Sequence, residues 1–345
     1  MNNGKGGNGT GPASWIEDGE KYAFIGLSAT TDSIASCQVS PNLWAVSGVG
    51  FKIPKYWQQW LGSIRSGEVE ECNLFLLAKK PTDKPELLDD ENNELKNAVY
   101  QFYVGLLLAS TFAPAHKPIM LTGARRDGET DIRQQQDMES PVPCQFRPHP
   151  PILASDIRLA AKLGDNVSAL AKSPLVGGHW RLFRTLSLYV ETRTVGEILD
   201  RLHQYCRCID GLILPDTGRT GSQFKSRTEL FVGPRLHSLF GDMYKIRSAV
   251  EHLHENRYLE SFDRNIRLEI MRKEAILEHV ARTAITKIIG DAKLWPHFAN
   301  TTALAAFWKL DPTERQRIWG DPIDPMVAIA ELGPQFIDDG HLGAP

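Results

Sequence analysis

Residues 243–258 read MYKIRSAVEHLHENRY and gather Tyr244, Arg247, Ser248, Glu251, His252 and His254 into one short run. An imidazole titrates near neutral pH and can give or take a proton, while a guanidinium can grip two phosphate oxygens and offset charge growing in a transition state. Together these groups suit cleavage of RNA by its own neighbouring 2′-hydroxyl, a reaction that needs proton transfer and phosphate stabilisation but no metal. On an ideal helix Arg247 and His252 lie roughly 140° apart around the axis, whereas Arg247 and His254 are nearly in line. Spacing thus favours Arg247 with His254. The long arginine side chain, or a site assembled between two copies of the helix, keeps Arg247 with His252 open. Glu251 follows Arg247 by four residues, and both it and Glu255 are placed for ordinary surface ion pairs with that arginine.

The element that must position these residues is a helix over Pro234–His254, with Leu236, Leu239, Phe240, Met243, Ile246 and Val250 at three- and four-residue steps. The same periodicity predicts helices over Leu153–Leu163, Val195–Leu214, Ser222–Val232 and Phe262–Ile289, and hence a helical bundle over residues 151–290. The loop LPDTGRTGSQ between two of them is polar and Gly-rich, which predicts exposure. Its LPDTG matches a sortase signal in letters only, because no apolar span and basic tail follow. Beyond Asp291 several tryptophans and one or two short helices form a C-terminal extension over residues 291–345, closing on a Gly/Asp/Pro-rich tail.

The first part of the chain has another character. YAFIGLSA, LWAVSGVGFKI, CNLFLLAK and PIMLTGA are short β-prone runs bounded by Gly, Pro and polar residues. KYWQQWLGSIRSG reads as an amphipathic helix with Trp57, Trp60, Leu61 and Ile64 on one side, and Glu91–Ala109 as a longer helix. Residues 15–147 are therefore expected to form an α+β domain, preceded by a flexible Gly/Asn-rich tail at residues 1–14. GKGGNGTG within that tail lacks the spacing of a phosphate-binding loop. The proline-rich SPVPCQFRPHPP, Ser140–Pro151, marks the expected boundary.

With 345 residues, 42% hydrophobic and 23% charged, the chain can build large cores in about two domains. Residues 151–290 hold 21 Lys/Arg against 16 Asp/Glu, a surplus of +5, which leaves −8 for the remainder of a chain whose net charge is −3. That asymmetry permits an anionic partner for the helical part. The longest apolar run, Val99–Phe112, is interrupted by Gln101 and Ser110 and is too short for a bilayer, so it predicts a buried helix and no membrane partner. The N-terminal sequence has neither the basic start nor the apolar core of a secretory signal, which predicts a cytoplasmic protein. Five cysteines without CxxC spacing argue against a disulfide framework and a structural zinc, and no cofactor or metal is expected. Cys206 and Cys208 sit two apart on a helix and should point to opposite sides as packing residues. His149, His179 and His237 lack companion ligands at metal spacing. Tyr56, Trp57 and Trp60 suit helix packing better than base stacking. Arg181 and Arg184 could add charge to a cleft.

YKIRSAVEH resembles the signature of the HEPN superfamily, in particular the ApeA-like HEPN group. There a helix carries an aromatic, then Arg-Ser, and further on a His, here Tyr244, Arg247, Ser248 and His252. The wider superfamily tolerates longer spacing, so Arg247 with His254 also fits. The order of the elements around it, EILDRLHQYCRCIDGLIL, a polar loop, FKSRTELFVG and a long downstream helix, is similar as well, and the likeness spans about residues 151–290. The resemblance covers only the helical part and implies an all-α HEPN-like bundle, following the α+β domain, that dimerises with both signature helices facing one cleft. It implies a metal-independent endoribonuclease of toxin or antiphage defence, in which Arg247 binds the scissile phosphate, His252 is the general acid/base and Ser248 orients them. The chain departs from the group at Glu251, where an apolar residue is common, and at Leu253, where glycine is common. These departures support an alternative, a non-catalytic interaction module whose Arg and His are structural.

Overall fold

The computed structural model describes residues 14–32, 34–173, 178–254 and 263–333, so the expected N-terminal tail, Glu255 and the final residues lie outside the described residues, apart from Ser14. The chain divides into two compact units, one running to Ser140 and including Pro150–Asp165, the other comprising Pro141–His149 and the chain from Asn166 onward. The partition is not the single cut expected at the proline-rich segment, since Pro150–Asp165 counts with the sheet and Pro141–His149 with the helices.

The first unit contains β1 (Glu20–Leu27), β2 (Cys37–Ser40), β3 (Leu43–Ser47), α1 (Trp57–Glu70), β4 (Leu74–Pro81), α2 (Asp90–Ala109), β5 (Ile119–Arg126), β6 (Glu129–Thr130) and β7 (Gln134–Asp137). Among the described residues the strands form one sheet, ordered β2-β3-β4-β1-β5 with β6 and β7 both on β5, and every pair is antiparallel. Strand β1 is buried along its whole length, setting Phe24 opposite Leu77 on one side and Leu121 on the other. Tyr22, Phe24, Phe51, Trp57 and Phe75 build an aromatic-rich core, and the Trp57 indole N–H donates to the Thr130 carbonyl at 2.7 Å.

Helix α2 begins where Asp89 accepts from the Glu91 N–H, and acids in its first turn favour that end of the helix dipole. Asp89 and Glu91 also hold the fully buried Lys21 ammonium at 2.7 and 3.0 Å, so its charge is not stranded in the core. Helix α3 (Ala154–Ala171) packs its first turns on α2. A Cβ on Gly105 would stand 2.1 Å from the Ala160 carbonyl oxygen, so glycine is what lets the two backbones approach. That contact explains why Pro150–Asp165 counts with the sheet.

The four β-prone runs appear as β1, β3, β4 and β5. Strand β2 (CQVS) is too short for its alternation to stand out, and β6 and β7 (ET and QQQD) carry no apolar alternation; all three are held by their ladder bonds. One expectation is corrected in α1. Trp57 and Leu61 are buried, but Trp60 is 75% and Ile64 78% exposed, and Gly62 (φ 71, ψ 171) breaks the helix ahead of Ile64. The apolar run Val99–Phe112 belongs largely to the buried part of α2, and no described helix is long and apolar enough to cross a membrane.

The second unit contains α4 (Trp180–Thr192), α5 (Ile198–Ile213), α6 (Thr220–Val232), α7 (His237–Glu251), α8 (Arg264–Gly290), α9 (Thr301–Lys309) and α10 (Pro312–Trp319). Helix α5 is its axis and touches α4, α6, α7 and α8. Cys206 and Cys208 are both fully buried and face different neighbours, Cys206 toward the Met243 carbonyl and Cys208 toward that of Thr185, as packing residues on opposite sides should. Helix α4 was not among the expected helices. It starts without a side-chain cap, after His179 in the left-handed region (φ 57). The segment Pro141–His149 inserts Cys144 and Phe146 among Ile198, Leu199, Met271 and Ala275, and so counts with the helices despite its prolines. The C-terminal extension packs there too: Trp308 and Trp319 meet Phe231, and Ala328 joins the Cys144 cluster.

Candidate functional site

Helix α7 carries Tyr244, Arg247, Ser248 and Glu251 but stops before the histidines. Glu251 is its last residue, and His252 caps it with non-helical backbone (φ −96, ψ 10). The Leu253 N–H bonds to the Val250 carbonyl at 3.1 Å and the His254 N–H to that of Ala249 at 2.9 Å, with Leu253 at φ 55. These paired bonds around a left-handed residue are a Schellman end, in which glycine is the usual occupant. The expected helix to His254 is therefore corrected, and the in-line geometry that favoured Arg247 with His254 does not exist. Both histidines are exposed, with ring centroids 6.0 Å apart.

Arg247 faces other partners. Its Nη1 pairs with Glu251 one turn on, its Nη2 lies 3.8 Å from Asp210 on α5, and its guanidinium sits 5.4 Å from the Tyr244 ring centre. Tyr244 is fixed in turn against Phe224 of α6, centroids 5.2 Å apart. Among the described residues no contact joins Arg247 to either histidine, and Ser248 is half-buried on the same helix. The signature residues thus share one helix end without forming a closed constellation within one chain.

Arg247 also lines a cavity of ≈ 300 Å³, together with Trp180, Arg181 and Arg184 of α4 and Arg207 and Asp210 of α5. Each helix contributes a stripe: Arg181, Arg184 and Leu188 recur at three- and four-residue steps, as do Arg207, Asp210 and Gly211. Helices α4 and α5 approach closely because residue 211 is glycine; a Cβ there would lie 2.2 Å from the Thr185 hydroxyl oxygen. The bared Gly211 carbonyl accepts from Arg181 Nε at 2.7 Å and orients that guanidinium along the wall.

The electrostatics follow from burial. Desolvation pushes the Asp210 carboxyl up to about 6 against the opposing pull of Arg247 and Arg181. Burial also lowers the Arg181 pKa, with Asp210 acting the other way. One turn before Arg207 on the same stripe of α5, burial and the charge of Arg247 both lower the His203 pKa. The cavity is a basic wall with one partly neutralised acid in it.

The remaining sequence candidates fall elsewhere. His179 is buried, its Nε2 3.2 Å from the Trp295 carbonyl; His237 pairs with Glu229; His149 is exposed. No cluster of metal-ligating side chains occurs among the described residues. Trp180, Arg207 and Asp210 were not singled out by sequence. Their signal was the three- and four-residue recurrence on two helices, which only tertiary packing turns into one cavity. Comparison with protein-family models, curated proteins and solved structures returned no match.

Proposed function

We propose that the helical unit is a HEPN-like, metal-independent endoribonuclease that works as a dimer. The observation that carries this reading is the position of Arg247, which lines the arginine cavity while its own helix ends in two exposed histidines. A phosphate drawn to that cavity meets a guanidinium that can offset charge on the pentacoordinate phosphorus. In the reaction a base takes the proton of the 2′-hydroxyl, whose oxygen attacks phosphorus. The bond to the 5′-oxygen breaks, and an acid returns a proton to that leaving oxygen. His252, free at the helix end, serves as one of these groups, and its copy in a second chain as the other. Ser248 is the polar neighbour on the same helix, and His254 the alternative imidazole.

A second reading has its own observation. Glu251 and Asp210 both engage Arg247, which is what a structural arginine in a non-catalytic interaction module would show. RNA incubated with purified protein in EDTA decides between them. On the first reading the wild type cleaves, Arg247→Ala and His252→Ala each lose roughly 100-fold or more, and His254→Ala loses less. Glu251→Gln, which releases the arginine, retains or gains activity. No cleavage by the wild type, or cleavage indifferent to both Arg247→Ala and His252→Ala, leaves the interaction module.

A further inference from the structure

We propose that the groove between α6 and the C-terminal helices α9 and α10 binds a carboxylate with an apolar body, the carboxylate on Arg227 and Arg315 and the body against Trp308, Leu230 and Pro234. The groove encloses ≈ 420 Å³, the size of a small-ligand site. Ser226, Arg227 and Leu230 come from α6, Pro234 follows it, and Trp308 and Arg315 come from the extension beyond residue 290. The site is therefore separate from the Arg247 cavity, lies partly outside the likeness over residues 151–290, and needs neither RNA nor a second chain.

Both arginines are built into place. Arg315 donates from Nη1 to the Trp308 carbonyl at 3.0 Å and to that of Leu310, closing the end of α9. Arg227 does the same at the end of α5, donating from Nη1 to the Ile213 carbonyl at 2.9 Å and to that of Leu214. Carbonyls at a helix C-terminus attract cations, and these bonds hold each guanidinium still, so a ligand need not order it. They do not neutralise it. Among the described residues no carboxylate pairs with Arg315, and the carboxylate paired with Arg227 is Asp216, 3.8 Å away and itself 61% exposed. Both guanidinium groups lie over the Trp308 ring, 5.4 and 5.7 Å from its centre, so two like charges share one aromatic. Burial lowers the Arg227 pKa and the charge of Arg315 lowers it further, against the pull of Asp216. A carboxylate relieves that repulsion, and its two oxygens match a guanidinium edge.

The charge count selects the ligand. Among the residues lining the groove are two arginines and one carboxylate, Glu229, which leaves a net +1. A doubly charged phosphate would exceed that and be repelled by Glu229, whereas a monocarboxylate balances it. Trp308 spends its indole N–H on the Leu212 carbonyl at 3.4 Å, so what it offers here is the ring. Leu230 and Pro234 extend that apolar surface. An apolar body attached to the carboxylate gains from covering them.

Ligand-observed NMR titration of the full-length protein tests this with phenylpropionate, its amide, acetate and inorganic phosphate, and with the tripeptide Gly-Gly-Phe carrying a free carboxylate. Phenylpropionate is expected to bind at least roughly tenfold more tightly than its amide, which lacks the charge, and than acetate, which lacks the ring. Phosphate should bind no better than acetate. Arg315→Gln keeps an amide donor for the helix-end carbonyls but removes the charge, and should bring the acid down to the level of the amide. Ser226→Trp, at an exposed position on the lining, should fill the groove and weaken acid and amide alike. An unchanged melting temperature would show that Ser226→Trp folds, so the groove is tested even where Arg315→Gln does not fold. A tripeptide that displaces phenylpropionate identifies a peptide C-terminus as the source of the carboxylate; one that leaves it bound identifies a free acid, and both outcomes support the site. The proposal is overturned if the acid binds no tighter than its amide, if acetate or phosphate binds as well as phenylpropionate, or if either folded variant binds the acid like wild type. RNA cleavage, present or absent, bears on none of these outcomes.

Discussion

At the scale of single residues, Leu253 decides where the signature helix stops. Its side chain is 91% exposed and its backbone is left-handed at φ 55, so packing gives little return for an unfavourable conformation. A glycine there carries no Cβ penalty, although it loses more freedom on folding. Leu253→Gly is expected to raise stability by about 0.5–1 kcal/mol, with Leu253→Ala close to wild type because alanine keeps the penalty; urea denaturation measures both. If Leu253→Gly is the less stable protein, the exposed leucine makes a contact that the single chain lacks, as it would at a dimer interface. The same residue scale explains Arg247. Its pair with Glu251 is an ordinary one-turn ion pair of about 0.3–0.5 kcal/mol, weak enough for a phosphate to displace.

At the scale of elements, the cavity depends on how closely α4 and α5 approach, and Gly211 sets that distance. Alanine is the better helix former by about 1 kcal/mol in an exposed helix, but here its Cβ would lie 2.2 Å from the Thr185 oxygen. Gly211→Ala is therefore expected to destabilise the protein by roughly 1–3 kcal/mol and to weaken anion binding by displacing Arg181, seen as a lower melting temperature together with reduced phosphate affinity. Greater stability in the variant would mean that the helices are not held this closely. Much at this level was legible in the sequence. The periodicity of EILDRLHQYCRCIDGLIL and RLEIMRKEAILEHVARTAITKIIG marked α5 and α8 within a few residues, since a helix buried on most sides must repeat its apolar residues. Helix α4 escaped although WRLFRTLSLYV has the same repeat, because no cap or proline announces its start. Strand β7 escaped because QQQD has no apolar alternation, and its place is set by pairing with β5. The C-terminal end of α7 escaped because a leucine stands where glycine would signal it. Arg247, Ser248 and His252 could be chosen from residue type and resemblance. Arg207, Asp210 and Trp180 could not, because three helices must pack before they share a cavity.

At the scale of the whole molecule, the chain passes between its two units more than once, and the segment Pro141–His149 must be anchored to the helices by more than covalent continuity. Cys144 and Phe146 supply apolar burial, and the Gly333 N–H donates to the Phe146 carbonyl at 2.7 Å. Arg147 supplies charge, with its Nη2 2.7 Å from Glu278 of α8. Glu278 is 1% exposed and also accepts from Arg282 Nε at 2.8 Å and from the Tyr189 hydroxyl at 2.9 Å. Burial alone would raise its pKa, but Arg282, Arg147 and Arg193 outweigh it and hold the carboxyl down at about 2. Because the folded value lies below the ordinary 4.5, this ionisation stabilises the fold fully above pH 4.5, and the contribution is lost as pH falls toward 2. Replacing Glu278 with glutamine leaves buried guanidinium groups uncompensated, at a cost of roughly 3–5 kcal/mol near neutral pH. Glu278→Gln is thus expected to unfold at lower denaturant at pH 7, with the gap from wild type narrowing as the pH is taken down from 4.5. Hydrogen exchange should show residues 141–149 losing protection first, since Arg147 is the charged tie of that segment to α8. A gap that stayed constant with pH, or protection lost evenly across the helical unit, would place the anchor in the apolar contacts of Cys144 and Phe146 instead.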